Sequence, residues 1–333
     1  MVRIAIDMMG SDSGPKVLSS SVRTYLEKHS DVSVILFGDE AVLNDEFKDV
    51  KFKDRIEIRN TTDIIPMEIK PLDFLRSKNS SMYQAVTAVK KGEADAVLSA
   101  GSTGGFLTGA TIVLRNIEGI QRAGLCTPFP TKVKGKGTVI LDVGANNYNT
   151  AEEVYQFAVM GRVYSKLILH VENPGVWTLS NGTEEGKGTD EVVGAYKLLK
   201  ESDFPGFKGN VEARDVLNGE HDVVVTPGYA GNIYLKATEG MASMMSELIK
   251  KSFKRNIFTK IGYLLSSKGI KDMKETMDYR RFGGAILLGI NGVVVKAHGN
   301  SNEYAFYQAI DLADRMVRAK IVDEIKKEIG SEK

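Results

Sequence analysis

Three glycine-rich turns follow short apolar runs and supply groups that could hold an anion. They lie within ADAVLSAGSTGGFLTGA (residues 94–110), VILDVGANN (139–147) and VVVTPGYAGN (223–232). Glycine lets the backbone turn its N–H groups inward, and a helix that begins at such a turn adds its positive N-terminal end. The pattern predicts an anion site at the edge of a sheet, with phosphate as the favoured anion.

Polar side chains near these turns could complete the site. Lys187 stands between two glycines in NGTEEGKG (181–188), and Asn232 and Lys236 could offer an amide hydrogen and a charge. Lys296 and His298 follow a later apolar run. Plainer interpretations stay open: residues 181–188 as a flexible surface turn, Asn232 as a helix cap and His298 as a structural histidine.

Several other chemistries lack the required spacing. In residues 181–188 the two candidate P-loop glycines are separated by three residues instead of four, and Gly188 stands where Ser or Thr would hold magnesium. No strand is followed by the dinucleotide pattern G-x-G-x-x-G. HExxH, Cys-x-x-Cys and G-x-S-x-G are absent from the sequence. We therefore expect no metal, no cofactor and no acyl-serine.

Composition places the chain among ordinary globular proteins. Its 333 residues are 42% hydrophobic and 26% charged, with a net charge of +1, so nothing indicates a nucleic-acid partner. Cys126 is the single cysteine, which excludes an internal disulfide and suits a reducing compartment. The apolar stretch within the first ten residues is too short for a signal peptide. No run of 18 apolar residues occurs, so we expect no membrane-spanning segment. These features predict a cytoplasmic protein.

Short apolar runs alternate with helical patterns, which predicts an α/β fold with a mainly parallel sheet and helices on both faces. Asn291-Gly292 joins two apolar runs and predicts a hairpin. Ligands in such folds bind outside the carboxyl ends of the strands. The predicted strands are residues 2–7, 32–37, 55–59, 95–99, 138–142, 167–171, 223–226, 285–290 and 293–296. The predicted helices are 15–28, 80–91, 103–115, 151–164, 189–201, 233–251 and 301–327.

A basic, amphipathic segment occupies residues 250–274. From 250 to 271 it holds seven basic residues and no acidic one. A helix of this kind suits an anionic membrane surface or an acidic protein, although a core-facing helix with a basic outer face is the plainer interpretation. The apolar stripe that would make the membrane contact consists of Phe253, Ile257, Phe258, Ile261 and Leu264.

Taken together, these blocks resemble the bacterial phosphate acyltransferases of phospholipid synthesis, over nearly the whole chain. The blocks are SAGSTGG (99–105), LDVGAN with QFAVMG (141–161), EEGKG (184–188), GNVEARD (209–215), GNIYLKATEG (231–240) and GGAILLGINGVVVKAHG (283–299). The resemblance implies a single domain over residues 1–333, similar to isocitrate and isopropylmalate dehydrogenases and to phosphotransacetylase, and a homodimer. It also implies that residues 246–277 form a helical protrusion that contacts the inner face of the cell membrane.

The reaction implied by the resemblance is acyl transfer from acyl carrier protein to inorganic phosphate, without a cofactor. The chain departs from the family pattern at several positions, among them Ala213 and Pro227. We expect Lys187, Asn232 and His298 to be catalytic. The expected substrate-binding residues are Asp7, Gly101, Ser102, Thr103, Gly104, Asp142, Asn146, Glu185, Arg214, Gly228, Gly231, Lys236, Gly283, Gly284 and Lys296.

Three other functions stay open from the sequence. A phosphotransacetylase that uses a short acyl-CoA shares the fold and chemistry, and is the first alternative. An NAD-dependent decarboxylating dehydrogenase is the second, and a non-catalytic membrane scaffold is the most distant.

Overall fold

The structure is a computed structural model that describes residues 1–66, 68–69 and 71–331. The chain forms two compact units. The first unit comprises Met1–Thr127, Val159–Asn173 and Arg280–Lys333, and the second comprises Pro128–Ala158 and Pro174–Tyr279. Strand β5 (Gly124–Pro130) and helix α6 (Ala151–Ile168) each have residues in both units.

The strands of the first unit follow the order β3-β2-β1-β4-β11-β10-β5. All neighbours from β3 to β11 are parallel, whereas β10 is antiparallel to both β11 and β5. The strands are β1 (Val2–Asp7), β2 (Val32–Gly38), β3 (Ile56–Asn60), β4 (Ala96–Ser99), β10 (Ala285–Leu288) and β11 (Val293–Lys296). The helices are α1 (Gly14–Lys28), α2 (Glu40–Glu46), α3 (Pro71–Arg76), α4 (Ser81–Lys90), α5 (Thr103–Leu114), α11 (Glu303–Arg318) and α12 (Ile321–Ser331).

The strands of the second unit follow the order β6-β9-β7-β8 and are parallel throughout. They are β6 (Gly137–Leu141), β7 (Val176–Ser180), β8 (Phe207–Glu212) and β9 (Val223–Val225). The helices are α7 (Asp190–Glu201), α8 (Gly228–Lys254), α9 (Ile257–Leu265) and α10 (Ser267–Thr276).

Central strands in both units are apolar and buried along their whole length, as in β4, β6 and β9. Continuous burial means that both faces of each sheet are covered, which is the pattern of parallel α/β proteins. The predicted α/β class with a mainly parallel sheet flanked by helices is thus confirmed. The predicted hairpin is confirmed as well, since Ala285 pairs with Lys296 and Ile286 with Val295.

Two predicted elements are wrong. The strand predicted at residues 167–171 does not form, because α6 continues to Ile168 and His170 then adopts a positive φ of 58°. The single helix predicted over 301–327 is two helices, since Lys320 takes a φ of 51° between α11 and α12. An L-residue in this left-handed region interrupts a right-handed helix.

Candidate active site

Three residues of the first unit form a row across neighbouring strands. Asp7 ends β1, Ser99 ends β4 and Lys296 ends β11. Asp7 is in register with Ser99, and Lys296 is in register with Ser99 on its other side. Because the three strands are parallel, their carboxyl ends meet at one edge. That edge carries a carboxylate, a hydroxyl and an ammonium group side by side.

Asp7 holds its surroundings together with both carboxylate oxygens. It is fully buried, and its Oδ1 accepts hydrogen bonds from the N–H groups of Met9 (3.1 Å) and Gly10 (3.2 Å) and from Ser81 Oγ (2.6 Å). Its Oδ2 accepts from Ser99 Oγ (2.7 Å). The sequence predicts Asp7 as a substrate-binding residue, but these contacts favour a role in positioning the turns around it.

The turn after β4 is tied to the same network. Ser99 Oγ accepts a hydrogen bond from the N–H of Gly101 at 3.0 Å. A Cβ on Gly10 would come within 2.6 Å of Asp7 Oδ2 and 2.8 Å of Gly101 Cα, so the two turns pack backbone against backbone. Ser81, Ser99 and Gly10 were missing from the predicted site. Ser99 carried a usable signal, because it is the last residue of a strand that leads into a glycine-rich turn.

Helix α5 begins at this edge, as predicted. Ser102 is buried and caps the helix, since its Oγ accepts from the N–H of Gly105 at 3.3 Å. Thr103 and Gly104 follow it in the first turn and are exposed. An exposed first turn of a helix directs free backbone N–H groups outward and favours an anion.

Lys296 is the buried cation of this edge. Its side chain is 6% exposed, and Nζ donates to the carbonyl oxygen of Ala297. Burial lowers the pKa of Lys296 to about 8, although the carboxylates of Asp7 and Asp12 act to raise it. A protein interior disfavours the charged form of an amine, which is the cause of this direction.

Gly283, Gly284 and His298 surround the end of β11. The glycines have φ values of 85° and 115°, and a Cβ on Gly284 would overlap the carbonyl oxygen of Lys296. The turn therefore needs glycine, because its backbone has positive φ and passes too close to the Lys296 carbonyl for a Cβ to fit. His298 is exposed, and its Nδ1 accepts from the N–H of Asn300 at 3.4 Å.

A second edge in the second unit is built around Asp142, directly after β6. This residue is fully buried. Its Oδ1 accepts from the N–H groups of Gly144 (2.9 Å) and Ala145 (2.8 Å), and its Oδ2 accepts from the backbone N–H and Nδ2 of Asn146 (both 2.9 Å). Asp142 and Asn146 thus fix a tight loop, which is again a positioning role.

Helix α8 begins against this loop. The N–H of Gly228 donates to Asn149 Oδ1 at 2.9 Å. A Cβ on Gly228 or on Gly231 would overlap backbone oxygen atoms of the loop, those of Asn146 and Asp142 respectively. Only glycine at both positions permits this approach.

Asn232 is exposed and lies inside the first turns of α8, whose cap position is Pro227. It is therefore not the helix cap that the plainer interpretation of the sequence offered.

The other predicted side chains of the second unit are exposed and follow β7, β8 or β9. Lys187 lies in the turn after β7, where its N–H donates to the carbonyl of Glu184 at 3.1 Å. The remaining three are in surface ion pairs, namely Glu185 with Lys200 (2.7 Å), Arg214 with Glu212 (2.7 Å) and Lys236 with Glu239 (2.8 Å).

The predicted membrane stripe lies in α8 and α9. Ile257, Phe258 and Leu264 are 63%, 79% and 69% exposed, and Ile261 is 48% exposed. Phe253 is half-buried instead, because its ring packs against Tyr263 at a centroid distance of 5.5 Å. Within the residues that the structure describes, no helix is long and apolar enough to cross a membrane.

Comparison with known proteins identifies the family of this chain. A family model described as "Fatty acid synthesis protein" matches residues 2–324. A phosphate acyltransferase of Fervidobacterium nodosum is 41% identical over 99% of this chain and 98% of its own length, and one of Staphylococcus haemolyticus is 40% identical over 99% of both. The chain belongs to the phosphate acyltransferase family. It is accordingly an acyltransferase, of a family that serves fatty acid and phospholipid synthesis.

Solved structures with low sequence identity share the fold. A phosphotransacetylase from Streptococcus pyogenes covers 95% of this chain, and 94% of that protein is covered, with a TM-score of 0.63 and 18% identity. A branched-chain phosphotransacylase from Enterococcus faecalis matches 95% of this chain and 99% of its own, with a TM-score of 0.57 and 14% identity. The likeness to the phosphotransacetylase fold that the phosphate acyltransferase resemblance implied is thus confirmed.

Proposed function

We propose that this acyltransferase moves a long-chain acyl group from acyl carrier protein to inorganic phosphate. The observation that carries the proposal is the edge of the first unit, where the N-terminus of α5 and the buried Lys296 follow adjacent strands. A helix N-terminus and an ammonium group both favour a phosphate dianion. The family relatives are themselves named phosphate acyltransferases, which supports phosphate as the acceptor.

This reaction needs little from a side-chain nucleophile. Inorganic phosphate, with a second pKa of about 6–7, is largely a dianion at neutral pH, as phosphate esters are. One of its oxygens bonds to the thioester carbon, the C–S bond breaks, and the proton of the phosphate ends on the departing thiolate. A thiol pKa of about 8.5 makes that group a good leaving group. The protein must hold the dianion, orient it and stabilise the tetrahedral oxyanion.

We assign those tasks to candidates within each unit. In the first unit, residues 101–104 and Lys296 bind phosphate and His298 polarises the carbonyl. In the second unit, the first turn of α8 offers backbone N–H groups, Asn232 is a candidate oxyanion donor and Lys187 neutralises charge. Full activity in both Lys187→Ala and Asn232→Ala would contradict the second-unit assignment.

The deciding experiment incubates the purified protein with palmitoyl-acyl carrier protein and phosphate and traps acyl phosphate as a hydroxamate. Phosphate-dependent product, with acetyl-CoA a poor donor, supports the proposal. The shared fold with phosphotransacetylase favours one alternative, a short acyl-CoA as donor. Product from acetyl-CoA but not from the acyl carrier protein would establish that alternative.

We further propose that α9 rests on an anionic membrane surface. Its exposed apolar residues are accompanied by Lys254, Arg255, Lys260 and Lys268, all of them exposed. Such a helix buries its apolar face in the interface while its cations meet anionic headgroups.

Vesicle sedimentation tests the membrane contact. The double variant Phe258→Ser/Leu264→Ser should lose binding to phosphatidylglycerol-containing vesicles, whereas Ile112→Ser, which removes a 42%-exposed apolar side chain from α5, should bind as the parent does. Equal vesicle binding by all three proteins would contradict the proposed contact. If the parent protein bound an acidic protein but not the vesicles, the surface would be assigned to a protein partner.

A homodimer completes the proposal. Met241, Met244, Met245 and Leu248 of α8 are between 44% and 56% exposed and recur at helical spacing, which suits the same face of a second copy. Sedimentation velocity should give a dimer that Met244→Glu/Leu248→Glu converts to monomers. A monomeric parent protein would exclude it.

A further inference from the structure

Lys296 is a buried ammonium group whose hydrogen-bonding capacity is incompletely used. An ammonium group has three N–H donors, and the carbonyl oxygen of Ala297 takes one of them. Within the described part of the chain, no carboxylate lies at ion-pair distance from Nζ. A charge with 6% exposure and a single acceptor is costly unless a further partner is bound.

The groups around Lys296 leave it available to an anion. Asp7 on β1 and Asp12 in the following loop act on its charge. The Asp7 oxygens are already engaged by Met9, Gly10, Ser81 and Ser99. Asp12 is exposed, and its backbone N–H donates a hydrogen bond to the carbonyl oxygen of Gly299 at 3.0 Å.

Among the described residues, the other elements that pack on β11 bring hydroxyl groups, glycines and one buried carboxylate that is already paired. β4 and α5 present hydroxyl groups at Ser99 and Ser102, and β10 is preceded by a glycine turn. His298 follows the strand and is exposed. Helix α11 buries Asp314, whose carboxylate accepts hydrogen bonds from Tyr25 and Arg318. The other buried residues of this helix are apolar, namely Phe306, Ala309, Ile310, Leu312, Ala313 and Met316.

We propose that Lys296 is the residue that anchors the phosphate dianion beside the N-terminus of α5, and that phosphate binding draws a proton onto its amine. This inference rests on the proposed function and names the group that gives the site its affinity for phosphate. A bound dianion supplies the acceptors that the ammonium group lacks. Lys187, which sequence reasoning favoured for this charge, is exposed and therefore costs nothing to leave unpaired.

The pKa of Lys296 makes the coupling measurable near neutral pH. Burial lowers this pKa to about 8, so a large fraction of the free protein carries a neutral amine above that pH. A neighbouring dianion favours the charged form and raises the pKa again. Phosphate affinity should therefore fall as pH rises, by about tenfold between pH 7 and pH 9, while each binding event takes up as much as one proton.

Isothermal titration of the full-length protein with inorganic phosphate provides the test, without any acyl donor. Runs at pH 7, 8 and 9, each in two buffers of different protonation enthalpy, give the affinity and the protons taken up. Phosphate is already a dianion over most of this range, so proton uptake at pH 8–9 reports on the protein. Lys296→Met should weaken binding at pH 7 by about tenfold or more, and should abolish proton uptake.

Two further variants serve as controls. Lys296→Arg keeps a charge that does not titrate, so any binding it retains should be independent of pH. Lys53→Met removes an exposed lysine before β3 and should behave as the parent. Circular dichroism and a thermal melt establish that each variant is folded.

Each outcome decides the inference. Unchanged phosphate affinity in Lys296→Met, or a parent affinity that is constant from pH 7 to 9, would overturn it. In turnover, Lys296→Met should raise KM for phosphate and leave KM for acyl carrier protein unchanged. The reverse result would mean that Lys296 binds the phosphodiester of the carrier's prosthetic group. A parent that binds phosphate with proton uptake but forms no acyl phosphate would overturn the proposed function alone.

Discussion

Asp7 in the first unit and Asp142 in the second are alike in position but differ in what they connect. Both are fully buried, both lie at the carboxyl end of a strand, and both accept N–H groups of a glycine turn. Asp142 accepts from residues within its own loop, 144–146. Asp7 also accepts from Ser81 and Ser99, which are 74 and 92 residues away. Asp142 holds one loop together, whereas Asp7 joins three segments that are distant in the sequence.

The donors also differ in chemistry. Three donors to Asp142 are backbone N–H groups, which cannot be reversed, and both of its carboxylate oxygens accept at least one of them. Two of the donors to Asp7 are serine hydroxyls, which can rotate and accept instead. The first unit moreover places Lys296 in the same row, two strands from Asp7. We infer that the second-unit loop is rigid by design, whereas the first-unit network can accommodate a change of charge.

The largest expected effect concerns how closely α8 packs on the Asp142 loop. In Gly231→Ala the new Cβ would overlap the carbonyl oxygen of Asp142, and backbone atoms must move to relieve it. We expect a loss of at least about 3 kcal/mol in the free energy of unfolding, together with loss of activity.

Gly240→Ala on the same helix is the matched control, because its Cβ would meet open space. It should leave stability unchanged or raise it by up to about 1 kcal/mol through helix propensity. Urea denaturation compares the two, and equal stabilities would show that α8 does not depend on close approach at Gly231.

A smaller effect separates the two aspartates directly. Asp142→Asn places an NH₂ group against fixed N–H donors, and we expect it to cost about 2–3 kcal/mol. Asp7→Asn allows the Ser99 hydroxyl to reverse and accept from the new amide, and we expect a cost of about 1 kcal/mol. Chemical denaturation of both variants at pH 7 measures the difference. A costlier Asp7→Asn would refute the distinction between the two networks.

Lys296→Met should raise the free energy of unfolding by about 2 kcal/mol at pH 7, whereas Gly231→Ala and the two aspartate substitutions lower it. The variant removes a buried charge that has a single hydrogen-bond acceptor. The pKa of Lys296 is about 8 in the folded state, below the ordinary lysine value of 10.5. Between these values the unfolded chain binds more protons, so the parent gains stability as pH rises from 8 to 10.5. Below pH 8 the buried amine is charged, and its burial is then most costly.

The advantage of the variant should accordingly shrink as the pH is raised through that window. Melting temperatures of parent and Lys296→Met at pH 7, 8, 9 and 10 measure it. A constant difference would mean that the amine does not titrate there.

The sequence predicted which strand ends carry the site better than it predicted what the residues there do. Glycine turns at 99–105, 142–146 and 227–232 follow strands as expected, because short apolar runs and glycines are local signals. The Asp142 loop could be inferred from one stretch of five residues. The role of Asp7 could not, since its serine partners come from α4 and β4.

Burial was the other property that local pattern left open. The sequence predicts Lys187 as a catalytic residue because it lies between two glycines, and in the structure its side chain is exposed. Lys296 is buried because β4 and β10 pair on either side of β11, which is a consequence of topology. Strands β7 and β8 were not predicted for a related reason: they contain polar residues and a glycine, and tertiary pairing overrides their weak local preference.

The smallest expected effect on stability is that of Gly104→Ala, which places a methyl group in the open space at the N-terminus of α5. A Cβ at Gly104 would meet no protein atom within 4 Å, and its φ lies outside the left-handed region, so Gly104→Ala should change the free energy of unfolding by less than about 1 kcal/mol. If phosphate occupies that space, the methyl group must displace it, and KM for phosphate should rise several-fold while KM for the acyl donor stays constant. Steady-state kinetics with both substrates varied separates the two constants. An unchanged KM for phosphate would move the anion away from α5, and Lys296 would then have to bind it from the side of β11 alone.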